Sequence, residues 1–272
     1  QRLKERILQQ MFLPDDHMFV ICAFRESRYI EECIQSLLKQ SVRTSIAIST
    51  STPNKYLESI ADKYGFPLYV NHGKTGIAED WNFALSCART KLITLAHQDD
   101  VYEPQYTEEM LRCMNNAKWP IFFSSNYAEL RGKEKVFSNR LLNIKKLLRI
   151  PMRFFPESIP ARRLSLAFGD PICCPSVTYV RAVVGENPFQ KGLLASLDWQ
   201  QWERLSKKKG SFVYSNKPLM CHRIHEESET SRVINTYSRI DEDYQMYLKF
   251  WPKPIAKILA QLYSESEKSN SI

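Results

Sequence analysis

Two kinds of block alternate along the first hundred residues, and they differ in the spacing of their apolar residues. Short continuous apolar runs, such as residues 18–24, are typical of strands buried in a parallel sheet. Between these runs lie longer blocks, such as residues 30–39, in which apolar residues recur with the spacing of one helix face. The pattern predicts strands at residues 18–24, 45–50, 67–71 and 91–96, with helices at residues 30–39, 56–64 and 78–88 between them.

The strict alternation of strand and helix predicts an α/β fold, in which a mostly parallel sheet carries helices on both faces. Ligands bind such sheets at the carboxyl ends of the strands, where the connecting loops meet. The loops after the four predicted strands are therefore the expected binding site, and they comprise residues 25–28, 49–54, 71–76 and 97–102.

Beyond residue 104 the alternation is less regular. The pattern there predicts helices at residues 105–116 and 199–209 and strands at residues 119–126, 174–181 and 211–214. Residues 239–263 are predicted to be largely helical, and residues 264–272 are typical of a frayed tail. Gly65 is predicted to cap the second helix at its carboxyl end.

The composition narrows the class of protein. A chain of 272 residues with 43% hydrophobic residues can bury a sizeable core, so a folded globular protein is expected. No apolar run approaches the ~20 residues of a membrane-spanning helix, and the first ten residues lack a signal-peptide core. The seven cysteines include no CxxC pair, and most lie in apolar surroundings, as reduced thiols do. These features predict a cytoplasmic protein.

The positive charge is concentrated in one segment. The formal net charge is +8, and residues 131–163 contain ten lysines and arginines against two glutamates, so the rest of the chain is neutral. Such a segment indicates a local anionic partner. Residues 141–149 combine three of these cations with leucines and an isoleucine. One interpretation is an amphipathic helix in peripheral contact with an anionic membrane. The other is a helix packed on the domain with a solvated charged face.

Two loops carry residues suited to metal and phosphate chemistry. Asp99 and Asp100 follow the fourth predicted strand, and neighbouring carboxylates hold hard divalent cations such as Mg²⁺ or Mn²⁺. The alternative is a polar turn that leads into the next helix. The loop at residues 71–76 contains two glycines and Lys74 and could approach phosphates closely. An ordinary strand-to-helix turn is the alternative for this loop.

Asp198 and two histidines are the remaining candidates. Asp198 opens a predicted helix, where it could act as a general base or form a capping box with Gln201. His222 and His225 follow a predicted strand. They are either solvated loop residues, or ligands of a metal or contacts to a diphosphate. None of these motifs decides the function alone.

Taken in order, the motifs resemble those of the family 2 glycosyltransferases of the GT-A fold, over roughly residues 18–230. Five elements carry the resemblance: an opening strand, loop and helix at residues 21–34, a third-helix signature at 76–85, a variant Asp-x-Asp metal motif at 97–104, an acidic acceptor-site motif at 197–199, and a late Arg-x-His element at 218–225.

Three positions depart from the family pattern. Residues 22–25 replace the usual Pro-x-Tyr-Asn at the end of the opening strand. Ser49 and Thr50 stand where an aspartate pair usually reads the base or ribose, so the nucleotide identity stays open. His97 stands where an acidic residue is common in the metal motif.

The resemblance implies a GT-A type α/β fold, with a Rossmann-like sheet and a smaller acceptor-side region. It also implies an inverting, single-displacement transfer of a sugar from a nucleotide-diphosphate donor, taken as UDP-linked, to a hydroxyl acceptor. Carried over position by position, it assigns the nucleotide and diphosphate contacts to Phe24, Arg25, Glu26, Ser49, Lys74 and Gln98. It assigns Mn²⁺ or Mg²⁺ to Asp99, supported by Asp100, with His225 completing the coordination. Asp198 is assigned the acceptor proton.

The resemblance also suggests a division of the chain and a class of acceptor. The predicted parts are an N-terminal extension (1–17), a nucleotide-sugar-binding half (18–126), a basic insertion (127–163), an acceptor-side and catalytic half (164–235), and a C-terminal helical extension with its tail (236–272). The expected acceptor is a glycan or a lipid-linked molecule, as in surface polysaccharide or glycolipid synthesis.

Two other functions compete with this interpretation. A metal-dependent nucleotidyltransferase uses a similar α/β scaffold, but it usually has a glycine-rich loop after the first strand, and residues 23–27 contain no glycine. A basic nucleic-acid-binding protein would match the net charge, but no helix-turn-helix, RRM signature or zinc finger is present in the sequence. No nucleic-acid partner is therefore expected.

Overall fold

The computed structural model describes residues 11–225 and 238–268. Within these ranges nine strands form one sheet. The strands are β1 (His17–Ala23), β2 (Ser45–Thr50), β3 (Leu68–Val70), β4 (Leu92–His97), β5 (Val101–Tyr102), β6 (Pro120–Arg131), β7 (Glu134–Val136), β8 (Thr178–Val180) and β9 (Ser211–Ile224). The helices are α1 (Ile30–Leu38), α2 (Lys55–Tyr64), α3 (Ile77–Cys87), α4 (Tyr106–Asn116), α5 (Arg140–Leu148), α6 (Ile150–Phe154), α7 (Ile159–Leu166), α8 (Arg181–Val184), α9 (Leu197–Ser206), α10 (Ser238–Tyr247) and α11 (Lys253–Lys268).

The first half of the sheet confirms the predicted alternation of strands and helices. Strands β3, β2, β1 and β4 lie side by side in that order, and all of their pairings are parallel. Helix α2 begins where the Asn54 side chain accepts a hydrogen bond from the Leu57 amide at 2.9 Å. It ends at Gly65, whose φ of 68° is the left-handed conformation predicted for this C-cap.

Strand β1 is buried on both faces because its side chains alternate between two packed layers. Phe19 and Ile21 join a core with helices α1, α2 and α4, whereas Val20 joins a core with helices α3 and α9. All three side chains are at most 1% exposed. Burial on both faces explains why the strand is a continuous apolar run.

The second half of the sheet brings the end of the chain's last strand to the end of β4. Strand β8 runs antiparallel between β4 and β6, and the long strands β6 and β9 are parallel. Residues Met220 and Cys221 of β9 pair with the two residues of β5, directly after the β4 loop. Residues 222–225 therefore lie beside residues 97–100.

Several boundaries differ from the sequence prediction. Strand β6 continues to Arg131 and β9 to Ile224, well beyond their predicted ends. Residues 174–176 form a 3₁₀ turn ahead of the short β8. The largely helical region after residue 238 divides into α10 and α11. The predicted N-terminal extension through residue 10, the chain between 226 and 237, and the tail from 269 lie outside the described residues.

The basic segment folds as a strand end, the hairpin strand β7 and three short helices. Pro151 and Pro160 lie in the first turns of α6 and α7. Proline destabilises a helix least there, because the amides of the first turn have no hydrogen-bond partner within the helix. Across the described residues, no helix has the length and apolar character needed to cross a membrane.

Candidate active site

Three side chains at the end of β4 converge on one point. Each of His97, Asp99 and Asp100 offers one ligand atom, and these atoms lie within 4.8 Å of one another. Oδ1 of Asp100 accepts hydrogen bonds from the Arg223 amide at 2.9 Å and engages Nδ1 of His222 at 3.0 Å. Among the described residues, Oδ2 of Asp100 and Nε2 of His97 are buried and have no hydrogen-bond partner. Buried polar atoms without partners are uncommon, so these two indicate a ligand.

The donor set of this group fits a divalent cation. Carboxylate oxygens suit Mg²⁺ and Mn²⁺, and an imidazole nitrogen is also a ligand for transition metals. His225 lies outside this group of three, and its Nε2 donates to Oδ2 of Asp99 at 2.8 Å, while its role as a metal ligand stays a prediction. Its geometry is that of a residue that orients a ligating carboxylate.

The imidazoles around Asp99 keep it ionised. Burial by itself raises the pKa of Asp99, but the hydrogen bond with His225 and the charges of His97 and His222 outweigh burial and lower it. Conversely, burial lowers the pKa of His222, whereas the Asp100 carboxylate raises it, and the net shift is upward. The group is therefore prepared to present carboxylates to a cation.

Arg223 ties the end of β9 to the β4 loop. Its Nε donates to the main-chain oxygen of Asp99 at 2.8 Å, and its Nη2 donates to Glu32 of α1 at 2.6 Å. The guanidinium also lies over the Tyr29 ring, 4.3 Å from its centre. These contacts hold the end of β9 against the β4 loop, although the two segments are 123 positions apart in the sequence.

The loop after β1 is held by Gln98. The Gln98 amide accepts from the Phe24 main-chain N–H at 3.2 Å and donates to the Phe24 carbonyl at 3.0 Å. Both ends of the side chain are used in this way, so Gln98 orients the loop instead of presenting a free amide to a ligand. Arg25 has a positive φ of 56°, and its amide donates to the Thr52 hydroxyl at 2.6 Å.

Ser49 is buried in β2, with only 4% of its surface exposed, and its role in nucleotide binding stays a prediction. The hydroxyl nearer the loops belongs to Ser51, which donates to Asp80 at 2.8 Å. Asp80 also accepts from Asn71 at 2.9 Å, so it joins the loops after β2 and β3.

The other assigned donor contacts lie at the surface of the same edge. Phe24, Arg25, Glu26 and Lys74 are exposed in the loops after β1 and β3. The Arg25 guanidinium lies 5.1 Å from the centre of the Phe24 ring. The structure therefore places these four side chains where an incoming ligand could meet them, and their roles remain predictions.

Asp198 lies in the first turn of α9, and its Oδ1 accepts the Trp199 amide at 2.8 Å. The N-cap of the helix is Ser196, whose hydroxyl donates to Asp243 at 3.0 Å. The Glu242 carboxylate of α10 accepts the amides of Leu194, Ala195 and Ser196 at 2.7–3.0 Å and so holds the loop that precedes the helix. Because Asp198 is not the N-cap and the Gln201 side-chain oxygen accepts from Arg204, these two residues do not form the capping box.

A second carboxyl group, that of Asp170, acts electrostatically on Asp198, and sequence reasoning missed it. Both side chains are partly buried, and burial raises the pKa of each. The only signal in the sequence is a Gly-Asp-Pro turn at residues 169–171, and such turns are common. Two acids separated by 28 positions carry no periodicity that would predict their interaction.

Lys145 is a further residue of the site that the sequence did not single out. Burial lowers its pKa, but the Tyr127 phenol and the Asp170 carboxylate raise it more, so Lys145 is cationic. Its charge acts on His222 as well as on Asp198. Cys173 likewise lies within electrostatic reach of both Asp100 and Asp198. Lys145 and Cys173 therefore interact electrostatically with both Asp198 and the group at the end of β4.

Comparison with known proteins agrees with this arrangement. A sequence model described as Glycosyl transferase family 2 matches residues 18–179. No curated protein sequence matches the chain. S. aureus TarS 1–349, solved in complex with UDP-GlcNAc, is similar with a TM-score of 0.64 and 13% identity, over 94% of this chain and 73% of that one. Mannosyltransferase PcManGT from Pyrobaculum calidifontis, solved with GDP-Man and Mn²⁺, has a TM-score of 0.63 and 12% identity, over 100% and 82% of the two chains.

These structural likenesses establish the fold, which is the expected α/β architecture of the GT-A type. The family match covers more than half of the chain and includes the loops after β1, β2, β3 and β4. The protein belongs to glycosyltransferase family 2 and is a glycosyltransferase.

Proposed function

We propose that the protein transfers a sugar from a nucleotide-diphosphate donor, taken as UDP-linked, to a hydroxyl acceptor with inversion at the anomeric carbon. The observation that carries this proposal is the group of His97, Asp99 and Asp100 at the end of β4, with two buried polar atoms that lack hydrogen-bond partners among the described residues. This group is the donor end of the proposed site. The acceptor end is assigned to Asp198, in the first turn of α9.

The donor end would hold a divalent cation through Asp99, Asp100 and His97. The imidazole nitrogen favours Mn²⁺ over Mg²⁺, because Mg²⁺ prefers oxygen ligands. When bound, the cation neutralises the negative charge that develops on the leaving diphosphate. His225 and His222 hold the two carboxylates in place, and Gln98 holds the loop against which the nucleotide would pack.

At the acceptor end Asp198 acts as the general base. The acceptor oxygen attacks the anomeric carbon while its proton passes to the Asp198 carboxylate. The bond between the anomeric carbon and the diphosphate oxygen breaks, and its electron pair leaves with the diphosphate. One displacement from the face opposite the leaving group inverts the configuration.

Donor binding tests this proposal directly. We expect one nucleoside diphosphate to raise the melting temperature in the presence of Mn²⁺, because a ligand that binds only the folded state stabilises it. A panel of UDP, GDP, CDP and dTDP, each with Mn²⁺, Mg²⁺ or EDTA, identifies the base and the metal. If none of the four shifts the melting temperature with either metal, the proposed donor class is wrong. The configuration of the product, read by NMR, then tests inversion.

We further propose that the acceptor is lipid-linked and that the protein contacts an anionic membrane through helices α5–α7 and α11. Leu147, Phe154 and Phe155 are 64–66% exposed, which is unusual for such large apolar side chains. Further apolar residues exposed on this surface are Ile144, Ile150, Ile159, Leu164, Phe168, Ile255, Ile258 and Leu262. The exposed cations Arg140 and Arg153 on the same helices complement anionic headgroups.

Vesicle flotation checks this contact. At low salt we expect the protein to float with vesicles containing anionic phospholipid and not with purely zwitterionic ones. The double variant Leu147→Glu/Phe154→Glu should lose most of this binding, because both apolar anchors become anionic. Leu13→Glu is a matched control, since Leu13 is 54% exposed but precedes β1 and belongs to none of these helices. Equal flotation of the parent and the double variant would contradict the proposed surface.

A further inference from the structure

The bridging loop, residues 189–196, joins the two ends of the proposed site. At its start the Asn82 side chain of α3 bonds both main-chain groups of Phe189, accepting from the amide at 2.9 Å and donating to the carbonyl at 2.8 Å. Its last residue, Ser196, is the N-cap of α9, and Asp198 follows two positions later. The loop is therefore attached to α3 at one end and leads directly to the proposed base at the other.

The start of the bridging loop is connected to the donor end of the site through one aromatic side chain. The centre of the Trp81 ring lies 5.0 Å from that of Phe189, edge to face, and 5.2 Å from that of His97. Aromatic rings at these separations attract each other. A salt bridge of 3.0 Å between Lys191 and Glu79 adds a second contact of the loop with α3. These contacts fix the start of the loop relative to His97.

One carboxylate holds the other end of the bridging loop. Oε2 of Glu242, on α10, accepts the amides of residues 194–196 at 2.7–3.0 Å. Consecutive main-chain N–H groups directed at one centre bind an anion, and here the anion is a side chain of the protein itself. Glu242 is only 6% exposed, so the contact is shielded from water. The Ser196 hydroxyl, which donates to Asp243 at 3.0 Å, is a second contact with α10.

We propose that Glu242 is a positioning residue, which holds the bridging loop so that Asp198 meets the acceptor hydroxyl in line with the anomeric carbon. The inference rests on the proposed role of Asp198 as the base. Because the loop is anchored at both ends, it fixes the spacing between His97 and Asp198. A misplacement of about 1 Å between reacting groups can slow a reaction about a hundredfold, so an anchor remote from the reacting atoms has a large effect on the rate. Glu242 itself takes up no proton in the transfer.

Three substitutions of Glu242 test the proposal through kcat and donor binding. Glu242→Ala removes the acceptor of the three amides and should lower kcat about ten- to a hundredfold at a temperature where the protein is folded. Calorimetry with Mn²⁺ and whichever of UDP, GDP, CDP and dTDP binds should give a donor affinity close to that of the parent, because the donor end lies at the other end of the loop. Glu242→Asp is one methylene shorter and should resemble Glu242→Ala.

Glu242→Gln should restore most of kcat. Its side-chain oxygen can take the place of Oε2, which accepts all three amides. Recovery by this substitution separates the contact with the amides from the charge of the carboxylate.

Glu109→Ala is the matched control for a loss of stability. Glu109 of α4 is also a buried carboxylate, 5% exposed, and it accepts from Arg112, Ser215 and Lys217. Its removal should lower the melting temperature but leave kcat unchanged where the protein is folded, since none of these contacts involves the bridging loop. Should Glu242→Ala not fold, Glu242→Asp takes its place in the comparison.

Three results overturn the inference. They are a parental kcat in the alanine and aspartate variants of Glu242, a loss of kcat that Glu109→Ala matches, and a loss of donor affinity as large as the loss of kcat. A parental kcat in these variants beside an inactive Asp198→Asn overturns the positioning role alone. An active Asp198→Asn variant would instead overturn the proposed function, and this inference with it.

Discussion

Asp198→Asn should lower the rate of sugar transfer on the order of 10²–10⁴-fold while leaving the fold intact. The amide has the shape of the carboxylate, and its oxygen can still accept the Trp199 amide at the observed 2.8 Å. It cannot take up a proton at neutral pH. The amide therefore keeps the one first-turn contact that the Asp198 side chain makes in α9. The rate loss therefore reports proton transfer.

The measurement is the initial rate at saturating donor and acceptor, with the melting temperature and donor affinity determined in parallel. Asp241→Asn makes the same chemical change at an exposed position on α10 and should be indistinguishable from the parent. Turnover near the parental value in Asp198→Asn would remove this residue from the mechanism.

Asp100→Asn should abolish metal-dependent donor binding, with a loss of at least about a hundredfold in affinity, since a metal contributes several kcal/mol to charge stabilisation at such sites. The amide oxygen can replace Oδ1, which accepts the Arg223 amide and engages His222. The amide nitrogen then occupies the place of Oδ2, the buried oxygen without a hydrogen-bond partner. An N–H group there cannot ligate a cation.

Calorimetry with the nucleoside diphosphate, with and without Mn²⁺, measures the effect. In the parent, EDTA should weaken binding to the level of the variant, whereas in Asp100→Asn the chelator should change little. Glu103→Gln is the control, because Glu103 is a nearby carboxylate that forms a salt bridge with Lys135 at 2.5 Å and is not one of the three residues of the group. Mn²⁺-dependent affinity that survives in Asp100→Asn would show that the metal is held elsewhere.

The local pattern of apolar and polar residues was sufficient to predict the parallel half of the sheet. The apolar run of β1 is buried on both faces by residues such as Phe19 and Val20, and each following helix begins after a loop at the carboxyl edge. These elements could be predicted because periodicity over ten residues reports directly which side chains are buried. The position of Asp99 and Asp100 at a strand end followed from the same pattern.

Buried polar positions were harder to interpret. The resemblance implies that Ser49 meets the nucleotide; its side chain is only 4% exposed in β2, and this role stays a prediction. Gln98 was assigned to the ligand and instead bonds both main-chain groups of Phe24. A one-residue difference in register reverses the face on which a side chain lies, and sequence alone does not resolve it.

By itself, the sequence determined the α/β order, the strand ends that carry the donor loops, and the family motifs at residues 97–100 and 197–199. Only the tertiary structure decided which distant residues meet. The pairing of β9 with β5 sets His222 and His225 against the carboxylates of the β4 loop. Packing of α10 against α9 sets Glu242 on the loop that precedes that helix, and the charges of Lys145 and Asp170, distant in the chain, act on Asp198. Local periodicity identifies a buried face, but the partner of that face depends on strand register and packing between elements far apart in the chain.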